Sequence, residues 1–332
     1  MSVRLQRRTI VACLLVTLAV LGLVLVQLCV GDYPMSPRDV LSTLSGHGSP
    51  GEEFTIYTLR LPRVVTAALI GLALGASGAI FQSLTRNPLG SPDVMGFTMG
   101  ASVGAVLVIL VLHGGDAGVT GGAMVGGFVT SAAVYLLAYR KGVQGFRLIL
   151  VGIGISAILE SVVSYLLLRA RLQDAQDAYV WLVGSLNGRD WGHVVIIGAV
   201  TGLMLPAGMV LSGRMRMLEM GDDTAQALGV PVEPSRRWLL GVGTMLCAGA
   251  VAAGGPISFV ALAAPQIMRR LTGGPLAVLP SALMGAFLLV LSDLAGQRLW
   301  PDIQFPVGIA TLCIGGIYLA WLLFRQNKTN RF

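Results

Sequence analysis

The chain has 332 residues, of which 55% are hydrophobic and only 12% charged, with a formal net charge of +7. A soluble domain carries about a quarter of its residues as Asp, Glu, Lys and Arg, so this composition excludes an ordinary soluble fold and points to lipid as the solvent. Nucleic-acid binding is excluded as the reason for the positive charge, because the basic residues fall in short clusters between apolar runs and form no patch with interleaved aromatics.

A helix rises 1.5 Å per residue, so about 20 apolar residues cross a hydrocarbon core about 30 Å thick. The first run, residues 9–31, follows Arg4, Arg7 and Arg8. It is too long for a signal-peptide core, lacks a small-residue cleavage site and leads into further spans, which predicts a retained helix. The next runs cover residues 64–85, 94–115 and 117–139. The last two are separated by His113-Gly114-Gly115-Asp116, a turn composition suited to an antiparallel helical pair. Residues 148–168 predict a fifth span, interrupted only by Glu160, and residues 191–213 a sixth. Residues 238–268 carry no charge, yet as one helix they would be about 46 Å long, too long for an ordinary span. Gly254-Gly255-Pro256 breaks the stretch, and Arg236-Arg237 and Arg269-Arg270 flank it, so it predicts two crossings, the second unusually short. Runs at 271–292 and 303–324 complete an all-α, polytopic membrane protein of about ten transmembrane helices, read as a single domain over residues 1–332.

Ten crossings assign alternate loops to two faces, and these share the basic residues unequally. One face receives 16 of the 23 lysines and arginines, among them Arg8, Arg86, Arg140, Lys141, Arg214, Arg236, Arg270 and Arg331; the other receives 7. The positive-inside tendency places the first face, with both termini, in the cytoplasm.

The longest segment on that face, residues 214–237, contains Met220-Gly-Asp-Asp-Thr-Ala-Gln-Ala-Leu-Gly229. A polar start, helix formers and a closing glycine predict one or two short surface helices, serving as a solvated connector or as a docking element. Glu160 is expensive to place inside a span; it either lines a water-filled path or is neutralised or hydrogen-bonded by a neighbouring helix. Asp293, shortly before Arg298, reads as half of a local pair. The repeats Gly71-x-x-x-Gly75, Gly96-x-x-x-Gly100-x-x-x-Gly104 and Gly118-x-x-x-Gly122-x-x-x-Gly126 predict close helix packing, mostly within one subunit. Cys13, Cys29, Cys247 and Cys313 lie in apolar stretches without paired spacing and read as packing residues.

Absences narrow the function. There is no G-x-x-x-x-G-K-S/T phosphate loop, and the only lysines are Lys141 and Lys328, so ATP hydrolysis by that route belongs to a partner. His47, His113 and His193 are scattered and predict no metal site. No nucleophile motif stands out either, so neither an enzyme nor a bound cofactor is expected.

Leu59-Arg60-Leu61-Pro62-Arg63, Gly75-Ala76-Ser77-Gly78-Ala79-Ile80-Phe81-Gln82 and Arg86-Asn87-Pro88-Leu89-Gly90-Ser91-Pro92-Asp93 resemble the FecCD family of permeases. The likeness continues through Gly254-Gly255-Pro256-Ile257-Ser258-Phe259-Val260, Ala264-Pro265-Gln266 with Arg269-Arg270, and Pro306-Val307-Gly308 with Gly315-Gly316, in one-to-one order along nearly the whole chain. The resemblance implies a vitamin B12 importer-type (type II ABC importer) fold. It also implies a second permease subunit, expected to be a distinct family member, two ATP-binding-cassette ATPases that hold ATP and Mg, and a substrate-binding protein. The implied setting is the bacterial inner membrane. The implied cargo is an iron–siderophore complex, ferric enterobactin or a similar catecholate, with hydroxamate siderophore, haem or cobalamin as alternatives.

Residue by residue, Asp223-Thr224-Ala225 and Gly229 look like a variant of the E-A-A-x-x-x-G coupling motif. Asp222, Asp223, Thr224, Ala225, Leu228 and Gly229 are thereby assigned to ATPase coupling. Arg60 and Arg63 resemble the arginines that meet acidic residues of the binding protein, and Arg298 lies one position from a third such site. Glu160 departs from the family pattern and is the candidate pathway residue. The reading from another class is an ion-coupled secondary transporter, for which Glu160 would be the only coupling site and the coupling loop would have no purpose.

Overall fold

The computed structural model describes residues 3–31, 33–139, 145–299 and 304–329, with backbone alone at 3–6, 319 and 321–329. Every element within them is helical. In chain order these are α1 (Val3–Cys29), α2 (Pro37–Leu44), α3 (Pro50–Glu53), a π-helical turn Phe54–Arg60, α4 (Leu61–Thr85), and α5 (Phe97–Leu107) with its π-helical continuation Val108–Leu112. They continue as α6 (Asp116–Ala138), α7 (Gly145–Arg169), α8 (Leu172–Leu182), α9 (Trp191–Glu219), α10 (Asp222–Ala227), α11 (Val232–Gly254), α12 (Val260–Thr272), α13 (Val278–Arg298) and α14 (Val307–Thr329). Among the described residues, seven helices are by themselves long and apolar enough to cross a membrane. The ten predicted crossings correspond to α1, α4, α5, α6, α7, α9, α11, α12, α13 and α14. With 13 residues, α12 is about 20 Å long and is the short eighth member.

The centre of the bundle is α4, which packs against α9, α11, α12 and α13. Ile70, Leu74, Ile80 and Phe81 are fully buried on it. Small residues let the backbones meet: a Cβ on Gly71 would lie 2.5 Å from the Gly285 carbonyl oxygen of α13, and one on Gly104 of α5 would lie 2.0 Å from that of Gly122 of α6. The glycine repeats therefore close helices within this subunit.

Two differences from the sequence reading concern the ends of spans. The second crossing does not begin at residue 64, because helix is continuous from Pro50 to Thr85, and Arg60 and Arg63 stand on it instead of in a loop. The stop after α12 is at Gly273, whose φ of +64° suits glycine in the left-handed region. Pro275 follows, so α13 starts at Val278 and the ninth crossing lies later than 271–292. The helices α2 and α8 lie outside the spans, and α3 is the first turn of the continuous helix that carries the second crossing. Both α2 and α3 begin with a capping box on a Ser-Pro pair, Ser36 with Asp39 and Ser49 with Glu52. The predicted break at Gly254-Gly255-Pro256 is present: α11 ends at Gly254 and the chain resumes helix at Val260. Arg140, Lys141 and Arg331 of the charge count lie outside the described residues.

Candidate functional site: a short helix and an arginine cleft at opposite ends

At one end of α4 the chain leaves α9 at Glu219, turns on Gly221 with φ +111°, and forms α10. The first residue of α10, Asp222, accepts hydrogen bonds from Arg236 Nη2 at 2.7 and 3.0 Å and from Arg86, which follows α4. Arg236 also donates to Glu233 at 3.1 Å, and Arg86 Nε to the Leu218 carbonyl at 2.9 Å. Burial pushes the Asp222 carboxyl up, but the hydrogen bonds and charges of Arg236 and Arg86 outweigh it and hold the group below the usual carboxylate range. The side chain of Arg236 is only 7% exposed, so Asp222 and Glu233 supply the charge that makes its burial tolerable.

The rest of α10 divides into a pinned and an open face. Ala225 is fully buried, and its carbonyl accepts from the Val230 amide at 2.9 Å. Asp223, Thr224, Leu228 and Gly229 are exposed. Gly229 has φ +79°, and a Cβ there would meet nothing within 4 Å. Glycine is thus favoured by the backbone sign and not by crowding inside this chain. The sequence-predicted coupling residues form one element, with Asp222 and Ala225 as anchors and the other four facing outwards.

At the other end of α4, Arg60, Arg63 and Arg298 line one cleft of about 250 Å³, together with Tyr33, Gln297 and Gln304. Arg60 donates to the carbonyls of Leu28 and Tyr33. Arg63 binds Asp293 through two hydrogen bonds of 2.8 and 3.1 Å. Asp293 is 1% exposed and also accepts from Gln297 at 2.8 Å and Gln27 at 3.3 Å. This corrects the local pairing with Arg298: five residues along a helix turn it by about 140°, whereas Arg63 of α4 faces Asp293 directly. Arg63 accordingly ties α4 to α13, and Gln27 draws in α1.

Glu160 belongs to neither end. It is exposed on α7, and Ala157, Ser161 and Ser164, also exposed, share its helix face. Glu160, Ser161 and Ser164 thus form a short polar patch, with exposed Ile153 and Leu168 beyond it on the same side of the span. Sequence reasoning missed the holding roles of Arg86, Arg236 and Asp293. Their partners are separated by 136, 14 and 230 residues, and the only signal was an unusual charge in or beside an apolar run.

A model of the FecCD transport family matches residues 17–325. The ferric enterobactin transport system permease protein FepG of Escherichia coli K12 is 47% identical over 325 residues, covering 97% of this chain and 98% of that protein. The Fe(3+) dicitrate transport system permease protein FecD of the same strain is 37% identical, covering 94% and 98%. A solved metal-chelate type ABC transporter in an inward-facing conformation is 28% identical, with a TM-score of 0.85 over 94% of this chain and 98% of that one. Fold and matches together define a multi-pass membrane permease of the type II ABC importer class. The chain belongs to the FecCD transport family, as an iron-chelate permease and a transport subunit. Of the two transport classes considered from the sequence, the importer subunit is therefore the one that holds.

Proposed function

We propose that this chain forms half of a translocation pathway with a second, non-identical permease and carries ferric enterobactin or a closely similar catecholate complex into the bacterial cytoplasm. The observation that carries the importer reading is the division of labour along α4: an outward-facing α10 at one end and a three-arginine cleft at the other. The exposed Asp223, Thr224, Leu228 and Gly229 dock in a cleft of an ATP-binding-cassette subunit, one of two that hold ATP and Mg. Arg60 and Arg298 receive acidic residues of a substrate-binding protein, with Arg63 as the wall that keeps the cleft in shape. Under this reading the α10 end and both termini face the cytoplasm. Glu160 and its serine neighbours face the water-filled path, since an exposed carboxylate against lipid is costly.

The catecholate assignment is supported by the 47% identity to FepG; the 37% identity to FecD names ferric citrate as the competing cargo. The test is ATP-dependent uptake of radiolabelled ferric enterobactin into proteoliposomes holding this chain, a candidate partner permease, the ATPase and the binding protein. Uptake that requires this chain is expected. Uptake of ferric citrate or a hydroxamate complex instead would keep the importer and replace the cargo; uptake without the ATPase would reject the importer reading.

A further inference from the structure

At the α10 end of the bundle, between α1, α9, α12 and the start of α13, lies a cleft of about 220 Å³ that none of the roles above uses. Its lining is graded. Met209 and Leu279, 41% and 38% exposed, form an open apolar side, and Met268 and Val278 close it from within. Its polar rim carries Arg216 and Arg269, both exposed, and Ser212. Arg216 lies in the last turn of α9 and Arg269 in the last turn of α12, so the rim stands where spans end and water begins.

The charge there is one-sided. Glu219 is the acid acting on both arginines, while Arg8 reaches the same place and donates to the Leu271 carbonyl at 2.9 Å. A soluble anion would use the arginines alone and leave the apolar side open to water. A phospholipid with a net negative headgroup matches both halves, because its phosphate sits at the boundary and its chain runs along the hydrocarbon-facing side.

We propose that this cleft binds one anionic phospholipid, its phosphate between Arg216 and Arg269 and an acyl chain along Met209 and Leu279. The cleft shares Arg269, Pro275 and Leu276 with a second recess, of about 340 Å³, that includes Arg86 and Glu219. Arg86 is one of the two arginines that hold Asp222 of α10. An occupied cleft therefore braces the residues that set the pose of α10, whatever the cargo.

The test is native mass spectrometry of the full-length chain in a nonionic detergent, titrated with phosphatidylglycerol and with phosphatidylcholine. Phosphatidylglycerol is expected to bind about thirtyfold more tightly, the contribution of two arginines at a membrane surface. Replacing Arg216→Gln and Arg269→Gln together should abolish that preference. Met209→Trp, which fills the apolar half and keeps both arginines, should weaken both lipids and serves if the double variant fails to fold. Equal binding of the two lipids, a preference that survives loss of both arginines, or unchanged binding in Met209→Trp would overturn the proposal. Displacement of phosphatidylglycerol by inorganic phosphate at comparable concentration would assign the site to a soluble anion and overturn the lipid assignment.

Discussion

Asp222 and Asp293 each neutralise an arginine at one end of α4, in different surroundings. Asp293 is almost fully buried, so Asp293→Leu leaves Arg63 without its counter-charge and is expected to cost about 3–5 kcal/mol. Thermal unfolding of the solubilised protein should show a lowered midpoint, and adding Arg63→Met should restore most of it. Asp222 is partly open to water, and its carboxyl is held below its ordinary value. A depressed folded pKa contributes stability that is complete above the ordinary carboxylate range and lost only as pH falls through the lowered value. Amide exchange over residues 221–230, corrected for its intrinsic pH dependence, should therefore be constant between about pH 8 and pH 5. Asp222→Asn should raise that exchange throughout the range. Gly229 separates backbone from bulk: Asn tolerates a positive φ and Trp does not. Gly229→Asn should retain uptake in part and Gly229→Trp should abolish it with insertion intact; equal uptake by the two would remove Gly229 from the docking surface.

At the scale of elements, the sequence exposed what lipid enforces. Nine apolar runs, one of them long enough for two crossings, were readable because every crossing must satisfy its backbone internally and face hydrocarbon with apolar side chains. The break at Gly254-Gly255-Pro256 was readable for a local reason as well, since Gly255 takes φ +75°. The helices α2, α3 and α8 escaped a hydropathy reading: α8 carries Asp174 and Asp177, and α2 and α3 are announced by Ser-Pro caps and not by apolarity. The tertiary ion pairs were illegible because no local pattern joins residues on different helices. Packing makes the glycines unequal. Gly285→Ala drives a Cβ to within 2.1 Å of the Gly71 carbonyl oxygen, whereas Gly202 of α9 has nothing within 4 Å. Gly285→Ala should destabilise by about 1–3 kcal/mol and Gly202→Ala should not; comparable melting temperatures would refute the α4–α13 contact.

Across the whole molecule, the proposed docking role of the arginine cleft sets Arg60 and Arg298 apart from Arg63, which is bound to Asp293. Arg60→Glu with Arg298→Glu should weaken association with the binding protein, and the loss should shrink at high salt, as expected for exposed ion pairs. Arg63→Glu should instead lower stability, because it sets two carboxylates against each other at Asp293. An association constant unaffected by the Arg60 and Arg298 reversals would move the docking site elsewhere. Between the two ends runs α4, 25 residues of helix with no proline after its first turn. Each residue added to or removed from such a rod would rotate Arg86 by about 100° about the axis relative to Arg63. The lineage of this permease is therefore constrained in length as well as composition: loops such as residues 45–48 can drift by insertion and deletion, while aligned relatives should keep α4 at one fixed length even where its apolar residues have been exchanged.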